Sequence, residues 1–302
     1  MIAIVFGGSG FVGSHVADEL TERGHEVRIY DIRPSPYLKN GQKMIVGDIL
    51  DKSKVSDAVE GCDVVYNFAG IADLDTATTQ PTETIIQNIL GNAIILDAAV
   101  KAGVKRFVYA STIYVYSSLG GFYRCSKQAA ELYVEEYQKR YGLPFTILRY
   151  GTLYGPRADE RNSVYRYVKQ ALLNKKIIAY GTGDEIREYI HVKDAAKLSV
   201  DILADEFKNK HIVITGHHPI KFKEMLNTIK EMLGGDVEIE FRPPVENSRY
   251  GAHYTITPYS FVPKIGQKLV SNIYTDIGQG LLECISEMNS EINKNRRAAD
   301  SS

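Results

Sequence analysis

Neither sign of charge prevails in this 302-residue chain, where 36 Lys and Arg stand against 37 Asp and Glu for a formal net charge of −1. No basic stripe or arginine-rich arm stands out, which argues against nucleic acid as a partner. An anionic ligand must therefore be met by a few placed arginines. Cysteine is scarce: Cys62, Cys125 and Cys284 are odd in number, far apart and form no C-x-x-C pair. Neither a disulfide framework nor a zinc site is expected, and the usage suits a reducing cytosol. No apolar run approaches ~18 residues, and Met1 leads straight into a strand-like run that leaves no room for a signal peptide. The expectation is a cytoplasmic protein with no membrane partner. Low-complexity linkers and internal repeats are lacking too.

What is present begins at once. Met1 to Phe6 is a short apolar run rich in β-branched residues, the pattern of a buried parallel strand. It runs into Gly7-Gly8-Ser9-Gly10-Phe11-Val12-Gly13, followed by helical periodicity at Val12, Val16 and Leu20. Gly7 and Gly10 permit a tight turn and close approach of a pyrophosphate, and Gly13 lets the helix pack closely on the strand. The N–H groups of the first helical residues, Phe11 and Val12, then point at the phosphates. A second strand, Glu26 to Tyr30, is closed by Asp31, whose carboxylate can accept the adenosine ribose hydroxyls. That acid favours NAD over NADP. Arg33, two residues on, joins the candidate cofactor set; it either tolerates a 2′-phosphate or is a surface arginine, and the second reading is preferred.

Further strand-like runs occur at 43–46, 63–68, 106–110, 145–148 and 211–215, with helical stretches at 53–60, 82–102, 123–141 and 192–203 between them. This alternation predicts an α/β fold, a Rossmann-type doubly wound parallel sheet with a smaller C-terminal substrate lobe. The boundaries read as 1–150 for the NAD-binding domain, with 191–215 returning to it, and 151–190 plus 216–292 for the lobe. Residues 293–302 are polar and read as a disordered tail.

Tyr123 and Lys127 lie four apart, with Thr112 eleven residues upstream at the end of an apolar run. On a helix that spacing puts the phenol and the ammonium on one face, one turn apart. The ammonium is expected to lower the phenol pKa, and the Thr112 hydroxyl to hold the oxygen that loses its proton. Cys125, between them, is turned away and reads as packing. His217 and His218 follow a strand end, but adjacent side chains diverge and no third ligand is evident, so no metal is expected.

With the glycine loop and the trio in place, the chain resembles the extended short-chain dehydrogenase/reductases, in the nucleotide-sugar epimerase/dehydratase group. The likeness covers nearly the whole chain. It rests on Gly7-x-x-Gly10-x-x-Gly13, Gly47-Asp48-Ile49, Asn67-Phe68-Ala69-Gly70, Asn88, Ala110-Ser111-Thr112-x-x-Val115-Tyr116 and Tyr123-x-x-x-Lys127. Leu148-Arg149-Tyr150-x-x-x-Tyr154-Gly155-Pro156-Arg157 and Arg187-Glu188-Tyr189-Ile190-His191-Val192-x-Asp194 complete it. The resemblance implies that Asp48 and Ile49 flank the adenine, that Phe68, Ala69 and Gly70 line the nicotinamide side, and that Asn88 and Tyr150 belong to the cofactor set. It makes Tyr123 the catalytic base, Thr112 its hydroxyl partner, and Lys127 the residue that perturbs Tyr123 and holds the nicotinamide ribose. It also implies a nucleoside-diphosphate sugar in the lobe, with Arg187 and Arg242 on the diphosphate and Arg249 competing for the Arg242 role. A homodimer paired through the helices at 82–102 and 123–141 is implied as well.

Departures from the family pattern narrow the chemistry. The sugar 4,6-dehydratases carry Asp-Glu after the Thr, and the uronic acid decarboxylases a Glu at the third position; here stand Ile113 and Tyr114. Neither is a carboxylic acid, which disfavours both reactions. Tyr114 reads as a wall of the sugar pocket, with an acid/base role as the alternative. Six residues separate Tyr116 from Tyr123, a shorter loop than is usual, Ser117 replaces a glycine, and Thr152 stands where an Asn contacts the substrate. By elimination, the expected reaction is NAD-dependent epimerisation at C4 through a 4-keto sugar. A 4-keto-sugar reductase and a non-catalytic NAD-binding sensor are the alternatives.

Overall fold

The structure is a computed structural model that describes residues 1–243, 254–259 and 266–300. It opens with β1 (Ile2–Phe6), α1 (Phe11–Glu22), β2 (Glu26–Asp31), β3 (Gln42–Val46), α2 (Lys52–Val59) and β4 (Val64–Asn67). Then come α3 (Leu74–Thr79), α4 (Pro81–Ile85), a π-helical turn (Ile86–Leu90), α5 (Gly91–Lys101), β5 (Arg106–Thr112) and a 3₁₀ turn (Ile113–Tyr116). Next are α6 (Gly121–Tyr141), β6 (Phe145–Tyr150), β7 (Thr152–Tyr154), α7 (Ser163–Asn174), β8 (Lys176–Tyr180) and β9 (Ile186–His191). The last are α8 (Val192–Asp201), β10 (Lys210–Ile214), β11 (Pro219–Lys221), α9 (Phe222–Met232), β12 (Glu238–Arg242), β13 (Gln267–Leu269) and α10 (Ile277–Asp300).

Two units emerge from the packing. The first comprises residues 1–151, 195–214 and 258–270. Among the described residues its sheet has eight strands in the order β13-β10-β6-β5-β4-β1-β2-β3, and every pairing is parallel. The order reverses between β1 and β4, where chains of this architecture bind ligands at the carboxyl ends of the strands. Central strands such as Val64–Asn67, Arg106–Thr112 and Phe145–Tyr150 are buried throughout, because helices cover both faces. The outer strand β3 has only half-buried and exposed residues. Phe6, Tyr30, Val65, Phe107, Tyr109 and Ile147 belong to the core of this unit.

The second unit comprises residues 152–194, 215–257 and 271–302. Among the described residues it holds a three-stranded sheet in the order β11-β9-β7 and the parallel pair β12-β8. Its core gathers Tyr154, Tyr167, Phe222, Leu226, Ile229, Leu281 and Met288. The helices behind it are amphipathic: α9 buries Phe222, Met225, Leu226 and Ile229, at helical spacing.

Three details differ from the sequence expectation. The stretch 82–102 is not one regular helix, since a π-helical turn at Ile86–Leu90 separates α4 from α5. Residues 258–270 belong to the first unit, because Gln267–Leu269 pairs with β10 as an edge strand too short to read from sequence. The polar stretch from Asn293 continues α10 as far as Asp300 rather than fraying. It contains no Gly or Pro to stop the helix, and Ile292 packs on the second unit's core just before it.

Candidate active site

The glycine loop is built by close approach. The Gly7 N–H donates to the Tyr30 carbonyl at 2.9 Å, and the Gly10 N–H to the Gly7 carbonyl at 3.1 Å. A Cβ on Gly13 would stand 2.3 Å from the Gly7 oxygen, and one on Gly7 would stand 2.7 Å from the Ala69 nitrogen. The loop therefore closes only with hydrogen at these positions. α1 starts at Phe11 with no side chain capping it, so its first N–H groups are turned to whatever fills the cradle. Asp31 ends β2, and its carboxylate accepts the Ser9 N–H at 3.1 Å and the Arg33 N–H at 3.2 Å. Ser9 in turn donates its hydroxyl to the Arg33 carbonyl. Arg33 itself is exposed. A bare-backbone cradle at a helix N-terminus, with a fixed acid at the end of the second strand, fits a dinucleotide.

The residues expected around adenine and nicotinamide lie in the same unit. Ile49 is buried and packs against Gly91, where a Cβ would approach it to 2.4 Å. Asp48 accepts the Leu50 N–H through its carboxylate and the Tyr30 hydroxyl through its carbonyl. The Phe68 ring lies between Tyr66 and Tyr150, with ring centres 6.3 and 6.1 Å away, and the Ala69 N–H bonds to Asn67.

Asn88 and Tyr150, expected in the cofactor set, each have hydrogen-bond partners within the protein. Asn88 sits on the π-helical turn and clamps both the N–H and the carbonyl of Ile71; its amide also donates to the Ser126 hydroxyl on α6. It fastens the loop after β4 to the helix that carries Tyr123. The Tyr150 hydroxyl is 2.6 Å from that of Ser199 on α8, so Tyr150 offers its ring.

Thr112, Tyr123 and Lys127 come together as their spacing predicts. All three are buried, at 5, 9 and 5 % exposure, and the Tyr123 hydroxyl is hydrogen-bonded to Thr112. The expected effect of Lys127 on the phenol is not found. Burial pushes Tyr123 up to about 12, and the Thr112 bond only partly offsets it. Burial likewise pulls Lys127 down to about 8, with Glu131 opposing. Its ammonium donates to the Ala110 carbonyl at 2.8 Å and lies 5.9 Å from the centre of the Tyr123 ring. Desolvation of two groups that both need water to be charged outweighs their mutual help.

Tyr114 stands beside this trio, its ring edge-on to Tyr123 with centres 6.3 Å apart. Gly120 makes room for it: a Cβ there would reach 2.8 Å from the Tyr114 ring, and its φ of +93° is in the left-handed region. The short loop before α6 thus folds under Tyr114, while Ile113 is buried in the core. Cys125, expected to pack, is exposed, because its place on α6 turns it to solvent as well as away from the trio.

Behind the trio lies a network that spacing did not announce. The Glu131 carboxylate accepts Ser111 Oγ at 2.5 Å, Arg149 Nε at 3.0 Å and Arg149 Nη2 at 2.6 Å. Arg149 also donates to the Tyr116 hydroxyl, which accepts the Gly266 N–H. Lys127-x-x-x-Glu131 was the available signal, but opposite charges four apart are common on solvated helices. Only its burial sets this pair apart.

In the second unit, Thr152 Oγ1 is 3.1 Å from the Tyr254 hydroxyl, and the Arg187 guanidinium lies over the Tyr254 ring at 4.6 Å. Thr152 and Arg187 are therefore joined through a tyrosine that sequence gave no reason to single out. Arg242 ends β12, exposed, with Nε bound to Glu240 at 2.6 Å. Arg249 lies outside the described residues. His191, on β9, is buried against Tyr154.

Residues 3–215 match the model of the NAD dependent epimerase/dehydratase family. A curated relative, UDP-N-acetyl-alpha-D-glucosaminuronate decarboxylase of Bacillus cytotoxicus, is 30 % identical over 267 residues, covering 80 % of this chain and 83 % of the relative. Another, the dTDP-D-glucose 4,6-dehydratase of Mus musculus, is 30 % identical over 66 % of this chain and 64 % of its own length. In fold the chain is similar to a UDP-glucuronic acid 4-epimerase from Bacillus cereus, solved with UDP-glucuronic acid and NAD. That match has a TM-score of 0.83 at 22 % identity and covers 96 % of this chain and 99 % of the other. The chain belongs to the NAD-dependent epimerase/dehydratase family of enzymes, and its cofactor is NAD.

Proposed function

We propose that this enzyme epimerises a nucleoside-diphosphate sugar at C4 through a 4-keto intermediate. The observation that carries the reading is the buried, hydrogen-bonded Thr112–Tyr123 pair beside Lys127, with Ile113 and Tyr114 where an acid would have to stand. Relatives in the family catalyse decarboxylation and dehydration as well, so membership alone does not choose the reaction. Those reactions move a proton at, or expel a group from, neighbouring carbons, and need a further acid or base. A buried isoleucine has no proton to exchange.

NAD, when bound, supplies the acceptor that takes hydride from C4 and returns it to the other face of the sugar. Gly7, Gly10, Gly13, Phe11 and Val12 would hold its pyrophosphate, and Asp31 its adenosine ribose. Tyr123 is neutral in the unliganded protein; the positive charge that NAD would bring favours its phenolate, which would take the proton of the 4-hydroxyl while Thr112 holds that oxygen and return it to the reduced sugar. Lys127, charged, would orient the nicotinamide ribose. Arg187 over Tyr254, together with Thr152, grips the diphosphate; Arg242 and Arg249 are further candidates on that side. The solved neighbour that holds NAD and UDP-glucuronic acid supports this ligand class. Pairing of two copies through α4 to α6 is part of the proposal, supported by exposed Ile85, Leu90, Leu132 and Tyr133 there.

A panel of UDP-, GDP-, CDP- and dTDP-sugars, with catalytic amounts of enzyme and NAD and the products resolved by NMR, tests the reading. Conversion to the 4-epimer with no net change in reduced cofactor is expected. Loss of water or carbon dioxide from the sugar overturns it, and stoichiometric consumption of NAD(P)H makes the chain a reductase.

A further inference from the structure

Glu131 lies one turn beyond Lys127 on α6 and is 3 % exposed. A carboxylate there is costly to bury unless its oxygens are satisfied. Three donors meet them: Ser111 Oγ, which shares Oε1 with Arg149 Nε, and Arg149 Nη2 on Oε2. The donors are themselves fixed, since Ser111 on β5 is directly opposite Arg149 on β6, and Arg149 is held again by the Tyr116 hydroxyl. The carboxylate is thus anchored to two strands and a helix at once.

Lys127 has a sparser setting. Its ammonium donates to the Ala110 carbonyl and lies 4.8 Å from the centre of the Tyr109 ring on β5, with Tyr123 on its own helix. Both phenols are neutral near physiological pH, because burial raises them. Among the described residues, Glu131 is the carboxylate whose charge favours the Lys127 ammonium. We propose that Glu131, pinned by Arg149 and Ser111, is a positioning residue that supplies the counter-charge keeping Lys127 charged and seated at the end of β5. A mere clamp between α6 and the sheet would leave the titration of Lys127 unmoved.

The proposal deepens the role given to Lys127 above, but it is read without substrate, so its failure and a failure to epimerise are separate results. The full chain, isotopically labelled at the lysine ε-carbons, is titrated by NMR, with the Lys127 signal assigned through Lys127→Met. The wild-type midpoint is expected near 8. Glu131→Gln keeps an oxygen for Ser111 and removes the charge, and is expected to lower the midpoint by about one pH unit or more. An unchanged midpoint overturns the proposal. Should Glu131→Gln fail to fold with Arg149 left uncompensated, the double variant Glu131→Gln/Arg149→Met removes both charges; a downward shift is still required of it, smaller because the like charge of Arg149 is gone as well. Turnover gives an independent readout: the variant that folds must lose activity first at alkaline pH and recover it as pH falls, whereas a pH-independent loss sinks the idea.

Discussion

One ion pair from each unit shows two opposite ways of treating charge. In the first, Arg149 and Glu131 pair at 0 and 3 % side-chain exposure, each held by further hydrogen bonds, directly behind the residues proposed for chemistry. In the second, Arg242 and Glu240 pair at 44 and 33 % exposure, on a two-stranded sheet. Residues two apart on a strand share a face, so that second pair is a local consequence of strand geometry. The first pair exists because three separate elements converge. The site proposed to move protons needs groups fixed and shielded from water, whereas the surface proposed to grip a diphosphate can work with half-exposed arginines.

The sharpest break in the comparison is Tyr123→Phe. It removes the proposed base and should lower turnover by about a thousandfold or more, while NAD binding stays near wild type; fluorescence titration of the cofactor separates the two. Persistent turnover would mean the base is misassigned. Next in size, Arg149→Ala leaves Glu131 buried and uncompensated, and should cost about 3–5 kcal/mol in chemical denaturation. Arg242→Ala should leave the denaturation midpoint where it was, since solvent already screens that pair. Equal effects from the two substitutions would erase the contrast between the units.

Lys127 gives a third test, through pH. Its folded pKa of about 8 lies below the ordinary 10.5 because burial disfavours the charge. Between those two values the unfolded chain binds more protons than the folded one, so stability rises with pH across that window; the penalty is fully present below 8. Lys127→Met lacks this slope, and the difference between the two denaturation curves should change by at most about 3 kcal/mol from the bottom to the top of the window. A flat difference would mean Lys127 is better solvated than its burial implies. The smallest effect expected is on substrate: Arg187→Ala should raise KM about tenfold with little change in kcat, consistent with loss of a charge-assisted contact. Arg242→Ala should raise it far less.

Much of the candidate site's geometry was legible because it is local. The glycines, Asp31 and the Tyr123-x-x-x-Lys127 step lie within single turns or strand ends, where spacing dictates geometry. The hydrogen bonds of Asn88 and Tyr150 were not legible: one clamps Ile71, the other bonds Ser199, and both partners come from elsewhere in the chain. Tyr254 escaped notice because its partners Thr152 and Arg187 are distant in sequence. Residue 249 lies outside the described residues, so its role stays with the family resemblance.

Sequence by itself determined the alternation of strands and helices, the family, and the side chains available for chemistry. It also settled that Ile113 and Tyr114 bring no carboxylic acid to the site. Tertiary structure decided the electrical state of those side chains. The same Tyr–Lys spacing on a solvated helix would give a phenol helped by its neighbour. Beneath the 3₁₀ turn and against the end of β5, burial raises Tyr123 and lowers Lys127, because a charge withdrawn from water loses more than one nearby ion returns. Only the packing of α6 on β5 and β6 put the Arg149-bound Glu131 beside that lysine.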